Sequence, residues 1–174
     1  MSKQTRKAEQ ALQKEHSKQL DIIYSACFCV LWRDYQWREK RIISRFSESA
    51  DIWMKTTTFS ILEVMEKETG IELTLDGDKS FHEYAFLSGD TTVNPLFDTE
   101  YIYMMNRVVK WLPTMILASV CLALYRKDGW GFERLSRFIY KVNIIRQMLG
   151  KDAREYDRLM QEVTGHRTKE FWGK

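Results

Sequence analysis

The spacing of apolar residues in the first part of the chain predicts helix. Between residues 3 and 20 the chain is rich in Lys, Gln, Glu and Ala, which are good helix formers, and apolar positions are sparse. From Ile22 apolar residues become dense and recur three or four residues apart, as on one face of an α-helix. We therefore expect an exposed basic helical arm over residues 1–20 that leads into one long helix ending near Phe46.

Capping residues and glycines predict the helices that follow. Ser47 or Ser49 can cap a second helix that ends at Gly70. The run 113–127 is apolar nearly all round, which is typical of a helix at the centre of a core, and Gly129 ends it. An amphipathic helix comes next, and its predicted buried face consists of Leu135, Phe138, Ile139, Val142 and Ile145. A last helix is expected from near Asp152 to Thr164, before Gly165.

The middle of the chain has a different pattern. Ile71, Leu73 and Leu75 alternate with polar residues before a turn at Asp76-Gly77, which predicts a small β-hairpin or ordered loop inserted over residues 71–96. The expected fold class is mainly α: a helical bundle with a long N-terminal helix and this small insertion, in a single domain spanning residues 1–174. No internal repeat is evident from the sequence.

Charge divides the chain into three blocks. Residues 1–46 carry a net charge of +5, residues 47–100 carry −9, and residues 101–174 carry +7. The N-terminus is polar and lacks the pattern of a secretory signal. The most apolar run, residues 115–125, is too short to span a bilayer, and three cysteines without framework spacing suit a reducing compartment. These features predict a cytoplasmic protein with no membrane contact.

Motifs for catalysis or cofactor binding are not found in the sequence. The three histidines are far apart, the cysteines lack CxxC spacing, and no phosphate-binding or nucleophile motif occurs. Asp76, Asp78 and Ser80 begin like a calcium loop, but Phe81 stands where a glycine is needed and Leu87 where the bidentate Glu should be. We expect no cofactor, no metal and no catalytic residues, and a binding protein in place of an enzyme.

One stretch combines aromatic and basic residues. The sequence WRDYQWREKR begins at Trp32, and its candidate partner-binding or nucleic-acid-binding residues are Trp32, Arg33, Trp37, Arg38, Lys40 and Arg41. Arginine and aromatic side chains together suit base stacking with phosphate contact, or a protein hot spot. The alternative is an amphipathic helix whose aromatics face the core while its arginines are solvated.

A second candidate surrounds Gly129 and Gly131. A DNA-reading helix-turn-helix needs a tight turn and a second helix with polar residues near its start, and the candidates there are Arg134, Arg137 and Lys141. The simpler interpretation is an αα-corner in which Gly129 closes the core helix, and Trp130 and Phe132 anchor the connection in the core.

The stretch LALYRKDGWGFERLSRFIYKVN resembles one found in small, mostly uncharacterised accessory proteins of prophages of Gram-positive bacteria. The resemblance is carried by glycine-aromatic-glycine before Arg-Leu, at Gly129, Trp130, Gly131, Arg134, Leu135 and Phe138. It implies a phage origin and a host cytoplasm, and by analogy an inhibitor of host defence such as an anti-CRISPR protein.

These observations give a first hypothesis: a phage-encoded, non-enzymatic interaction protein that inhibits a host nucleic-acid-handling complex. It could bind nucleic acid in that complex through the basic residues, or mimic nucleic acid through an acidic surface of Asp76, Asp78, Glu83 and Asp90. The alternative is a DNA- or RNA-binding phage regulator. The partners expected are a host protein or nucleoprotein complex and DNA or RNA, and the long helix permits a homodimer.

Overall fold

The computed structural model describes residues 3–56, 58–73 and 110–167, without the side chains of residues 58 and 59. Six helices make up this part of the chain. They are α1 (Lys3–Tyr35), α2 (Glu39–Lys55), α3 (Thr58–Thr69), α4 (Leu112–Asp128), α5 (Phe132–Leu149) and α6 (Ala153–Thr164). The mainly helical class and the long N-terminal helix are confirmed. Of the insertion predicted at 71–96, only residues 71–73 are described; they lie in no helix or strand, and the predicted hairpin itself falls outside the described residues.

The prediction of one helix from Ile22 to Phe46 is wrong, because the chain reverses after Tyr35. Gln36 adopts a left-handed conformation with φ 57°, which ends α1. The N–H of Trp37 then donates to the Leu31 carbonyl at 3.0 Å, and α2 begins two residues later. Ser47 and Ser49, predicted as helix caps, lie inside α2. The reversal buries Trp37 and lets α2 pack against α4, a tertiary gain that the local sequence pattern does not reveal.

Helix α4 is the centre of the core, as predicted. Every residue from Leu112 to Leu124 is buried. Pro113 lies in the first turn, where a missing N–H removes no helical hydrogen bond. Gly129 ends the helix in a left-handed conformation, φ 67°. None of the helices in the described ranges is long and apolar enough to cross a membrane.

The αα-corner between α4 and α5 agrees with the simpler of the two sequence interpretations. Trp130 is 2% exposed, and its N–H donates to the Leu124 carbonyl at 3.3 Å. The five residues predicted for the buried face of α5 are all buried. Phe132, however, is 57% exposed, so its predicted role as a core anchor is wrong. The reason is its position: α5 starts at this residue, and the part of the helix that covers the core starts at Leu135.

The helix pair α1–α2 and the helix pair α4–α5 are equivalent, although no repeat was evident from the sequence. Each turn consists of a left-handed residue followed by a tryptophan whose N–H donates to a leucine carbonyl six residues back. Positions of the two units correspond at a spacing of 93 residues. Identical residues at that spacing are Ile23 and Ile116, Leu31 and Leu124, Arg33 and Arg126, Trp37 and Trp130, Arg41 and Arg134, and Ile52 and Ile145. The buried and exposed positions through both turns follow the same order.

The equivalence extends to the third helix of each unit, at a spacing of 95 residues. Helices α3 and α6 each end at a threonine that is followed by a glycine. Each threonine hydroxyl donates to the carbonyl of a fully buried methionine four residues earlier. The pairs are Met65 with Thr69 and Met160 with Thr164. We call α1 from Ile22 through α3 the first repeat, and α4 through α6 the second repeat.

The repeats pack reciprocally. Helix α2 packs on α4 and α5 on α1, while α3 packs on α4 and α6 on α1. An ion pair joins Lys127 to Glu48 at 3.7 Å, and the equivalent positions, Asp34 and Lys141, pair at 3.9 Å with the charges exchanged. Such two-way contacts are the mark of an arrangement related by a two-fold axis. The described core is therefore one body built from two intertwined repeats.

Candidate binding surface

The two turns of the repeats meet in an aromatic cluster. The rings of Trp37 and Trp130, which occupy equivalent positions, lie 5.5 Å apart in an edge-to-face arrangement. Tyr35 lies 4.6 Å from Trp130 and 6.4 Å from Phe138. Because equivalent residues touch here, the approximate two-fold axis passes between the two tryptophans. The cluster locks both turns together.

Arginines cover the outer side of this cluster. The guanidinium of Arg41 lies 3.7 Å from the centre of the Trp37 ring, and that of Arg134 lies 4.4 Å from Trp130. Arg134 also lies 5.4 Å from Tyr35, in the other repeat. A cation over an aromatic face contributes about 0.5–1 kcal/mol at an exposed site. The aromatic cluster thus holds cations at fixed positions on the surface.

The structure brings two sequence-predicted basic stretches into one surface. Around the two turns lie seven candidates, which we name the basic corner: Arg33, Arg38, Lys40, Arg41, Arg134, Arg137 and Lys141. The segments 33–45 and 128–141, which form it, hold eight Lys or Arg and four Asp or Glu, a net charge of +4. From the sequence these stretches were two separate candidate sites, because nothing in either stretch indicates that it packs against the other.

The tryptophans of the first stretch do not form an open stacking platform. Trp37 is 4% exposed, inside the core. Trp32 is half-buried, stacks on Phe28 at 5.8 Å and carries the Arg38 guanidinium 5.0 Å above its ring. The aromatic side chains therefore support the basic groups, and the cations face the solvent.

Two arginines of this region are held by one carboxylate. Asp128, whose side chain is 5% exposed, accepts hydrogen bonds from Arg41 at 3.0 Å and Arg45 at 3.1 Å. Burial opposes ionisation of Asp128, but the two arginines outweigh it, so the pKa of this carboxyl lies below its ordinary value. Arg45 is a residue that sequence reasoning missed, because its partner lies 83 positions away.

The remaining cations of the basic corner differ in how strongly they are held. Arg33 and Lys141 share Asp34, at 3.4 and 3.9 Å. Arg137 is 71% exposed at its side chain, with Glu133 4.0 Å away. Arg38 and Lys40 are exposed at the start of α2. Arg38, Lys40 and Arg137 are therefore the best placed to contact a partner, whereas Arg41 is engaged by the fold.

The thiols are not placed for chemistry. Cys27, Cys29 and Cys121 are buried and free of disulfides. Burial raises the pKa of Cys29 to about 12 and raises the pKa of the other two thiols as well. The Cys29 thiol donates to the Met160 sulfur at 3.5 Å. Since the thiolate is the nucleophile, these protonated thiols are core residues.

The described ranges contain no group of three His, Cys, Asp or Glu residues that could hold a metal ion. The candidate acidic surface of Asp76, Asp78, Glu83 and Asp90 lies outside the described residues, as does the incomplete calcium loop. Comparison of the chain with protein-family models, with curated proteins and with solved structures gives no match. The geometry of the surface is therefore what indicates function.

Proposed function

We propose that this protein is a non-catalytic interaction protein whose basic corner contacts the phosphate backbone of a nucleic acid. The observation that supports the proposal is the convergence of two basic stretches, about 93 residues apart, on the aromatic cluster. Arginine forks match phosphate oxygens, and a guanidinium already ordered on a ring loses less freedom on binding.

The geometry favours contacts with the backbone over reading of bases. In a DNA-reading helix-turn-helix the first helix crosses the backbone, but here the corresponding helix, α4, is buried from Leu112 to Leu124. The exposed cations are spread over α1, α2 and α5 and are not concentrated on one recognition helix. Such a surface supplies salt-dependent affinity with little sequence preference.

We further propose that the nucleic acid is one handled by a host complex, and that the protein is a phage-encoded inhibitor of that complex, of the anti-CRISPR type, acting in the host cytoplasm. The support is the resemblance of residues 111–149 to prophage accessory proteins, together with a surface suited to nucleic acid of any sequence. The free thiols agree with a reducing compartment.

The test is binding of the full-length protein to labelled single- and double-stranded DNA and RNA, by fluorescence anisotropy at about 50 and about 200 mM salt. The test variant is Arg38→Glu with Arg137→Glu, because both side chains are exposed and neither contacts Asp128. Lys55→Glu with Lys151→Glu is the matched control: it makes the same change in net charge at exposed positions at the far end of α2 and just beyond the far end of α5, about 20–25 Å away.

We expect affinity that falls steeply with salt, is strongly reduced but still measurable at the lower salt in the corner variant, and is largely kept in the control. Removing two phosphate contacts should also reduce the salt slope by about 1.8. Equal losses in the two variants would mean that only the overall charge matters, and absence of binding at the lower salt would rule out nucleic-acid recognition by the free protein. A strong preference for one DNA or RNA sequence would favour the alternative, a phage regulator.

A further inference from the structure

The two repeats contain equivalent grooves between their second and third helices. The first groove has a volume of about 270 Å³ and the second about 160 Å³. Seven lining positions correspond, with the residue of the first groove named first: Glu48 and Lys141, Asp51 and Ile144, Ile52 and Ile145, Lys55 and Met148, Thr56 and Leu149, Val64 and Leu159, Arg126 and Arg33. Ile61 and Leu122 line the first groove in addition. The molecule therefore contains the same groove twice, with different chemistry.

The second groove has apolar residues at two positions where the first groove has charged ones. Asp51 and Lys55 of the first groove are exposed and charged, as expected of surface positions. Their counterparts are Ile144, which is half-buried, and Met148, which is 77% exposed. Packing does not require apolar residues at these positions, since the first repeat builds the same helix pair with charged ones. Exposed apolar groups that the fold does not need are typical of an interaction site.

The apolar surface continues along α5. Tyr140, 67% exposed, lies one turn before Ile144, and Met148 lies one turn after it. Residues four apart on a helix share a face, so the three form a stripe beside the groove. In the first repeat, the position of Tyr140 is occupied by Ser47.

We propose that the second groove binds an acidic segment of a partner protein, in a helix that inserts an apolar side chain. The volume of about 160 Å³ is well below the usual range for small-molecule pockets and suits a single side chain. Among the residues that line this groove only Arg33 and Lys141 are charged, and both are positive. They share the single carboxylate of Asp34, so the three groups together keep a net charge of +1. Cations beside an apolar groove complement an amphipathic helix with carboxylates on its flanks.

A second copy of this chain is a poorer occupant. Packing the stripe of one α5 against that of another would bring the Lys141 and Arg137 groups of the two copies together, and like charges across an interface are unfavourable. The groove shares Arg33 and Lys141 with the basic corner, but Ile144 and Met148 lie outside it, so substitutions at these two apolar positions test the groove separately from nucleic-acid binding.

The experiment is selection of helical peptides from a displayed random library against the full-length protein. The test variant, Ile144→Asp with Met148→Lys, installs the residues of the first groove at equivalent positions, so the helix is expected to fold unchanged; far-UV circular dichroism checks this. The matched control makes the reverse exchange in the first groove, Asp51→Ile with Lys55→Met.

We expect enriched peptides that combine Asp or Glu with large apolar residues at three- and four-residue spacing. Their affinity should fall at least about tenfold in the I144D/M148K variant, because the burial of an apolar side chain is lost, and should be unchanged in the D51I/K55M control. Enrichment of uncharged or basic peptides, failure to enrich any, or equal affinity for the I144D/M148K variant would overturn the proposal. So would concentration-dependent dimerisation that the variant abolishes, because a second copy would then be the occupant.

Discussion

At the scale of single residues, the positions with left-handed backbone decide where helices end. Gly129 could be recognised in the sequence, because glycine adopts this conformation without strain. Gln36, at the equivalent position, could not, because nothing local distinguishes it from any other helical glutamine. Trp130, next to Gly129, is therefore predictable as a core residue. For Trp37 the sequence leaves two interpretations open, a binding surface or an aromatic side chain that faces the core, and its burial agrees with the second.

Substitutions at the two left-handed positions should change the free energy of unfolding in opposite directions. Gln36→Gly should raise the free energy of unfolding by roughly 0.5–1 kcal/mol, since relief of left-handed strain exceeds the entropy that glycine adds to the unfolded chain. Gly129→Ala should lower it by about 1 kcal/mol through the backbone alone, because an added Cβ meets nothing within 4 Å. Urea denaturation measures both values. Small changes of equal size in the free energy of unfolding of both variants would show that the Gln36 backbone is not strained.

The carboxylate of Asp128 links stability to pH. Its pKa in the folded state lies below the value of about 3.9 expected when unfolded, so its contribution is present above about pH 4 and is lost as the pH falls through the folded pKa. Asp128→Asn should cost about 2 kcal/mol at neutral pH, since it disrupts hydrogen bonds of a buried carboxylate, and should flatten the loss of stability in acid.

Glu68→Gln is the matched control for that prediction. Hydrogen bonding to Arg126 also lowers the pKa of Glu68, but both partners are partly exposed, so the change should cost less than about 1 kcal/mol. Thermal unfolding from neutral to acidic pH compares the two variants. A loss for Glu68→Gln as large as that for Asp128→Asn would show that the burial of Asp128 is unimportant.

At the scale of elements, the helices with strong apolar periodicity were predictable, and the connections less so. Helices α4, α5 and α6 agree with the sequence pattern because caps and glycines bound them. The break between α1 and α2 was missed, because the residues on both sides continue a helical pattern. The two turns of the candidate surface are adjacent because Trp37 packs against Trp130, a tertiary contact that the spacing of residues along the chain does not predict.

The N-terminal part of α1 is expected to be dispensable for the core. Fully buried residues of this helix begin at Gln19 and Ile22, and Lys3, Arg6 and Lys7 are exposed. Removing residues 1–12 should therefore reduce helical circular dichroism but change the free energy of unfolding by at most about 0.5 kcal/mol. Loss of nucleic-acid binding in the same variant would move the binding surface from the basic corner to this basic arm.

At the scale of the whole molecule, the reciprocal packing of the repeats predicts a single folding unit. Each third helix is buried against the first helix of the other repeat, so neither repeat has a complete core alone. The repeats were not evident in the sequence, because the identities are few and the equivalent positions differ most at the surface. The two repeats share the pattern of buried positions and the residues that the turns require, such as Trp37 and Trp130.

This packing predicts one cooperative transition. Urea denaturation followed by tryptophan fluorescence and by far-UV circular dichroism should give coincident curves, because breaking either half exposes the core of the other. Exchange of amide hydrogens in α3 and α6 should report the same free energy. Two separated transitions would show that the repeats fold independently.

The ion pairs exchanged between the repeats have a consequence for how chains assemble. If the first repeat of one chain paired with the first repeat of another, Asp34 would face Glu48, and two second repeats would place Lys127 against Lys141. Only unlike repeats match in charge, so these two ion pairs favour the pairing of a first repeat with a second repeat over the pairing of two like repeats. Both ion pairs are partly exposed, so each contributes only about 0–1 kcal/mol to this preference for unlike repeats.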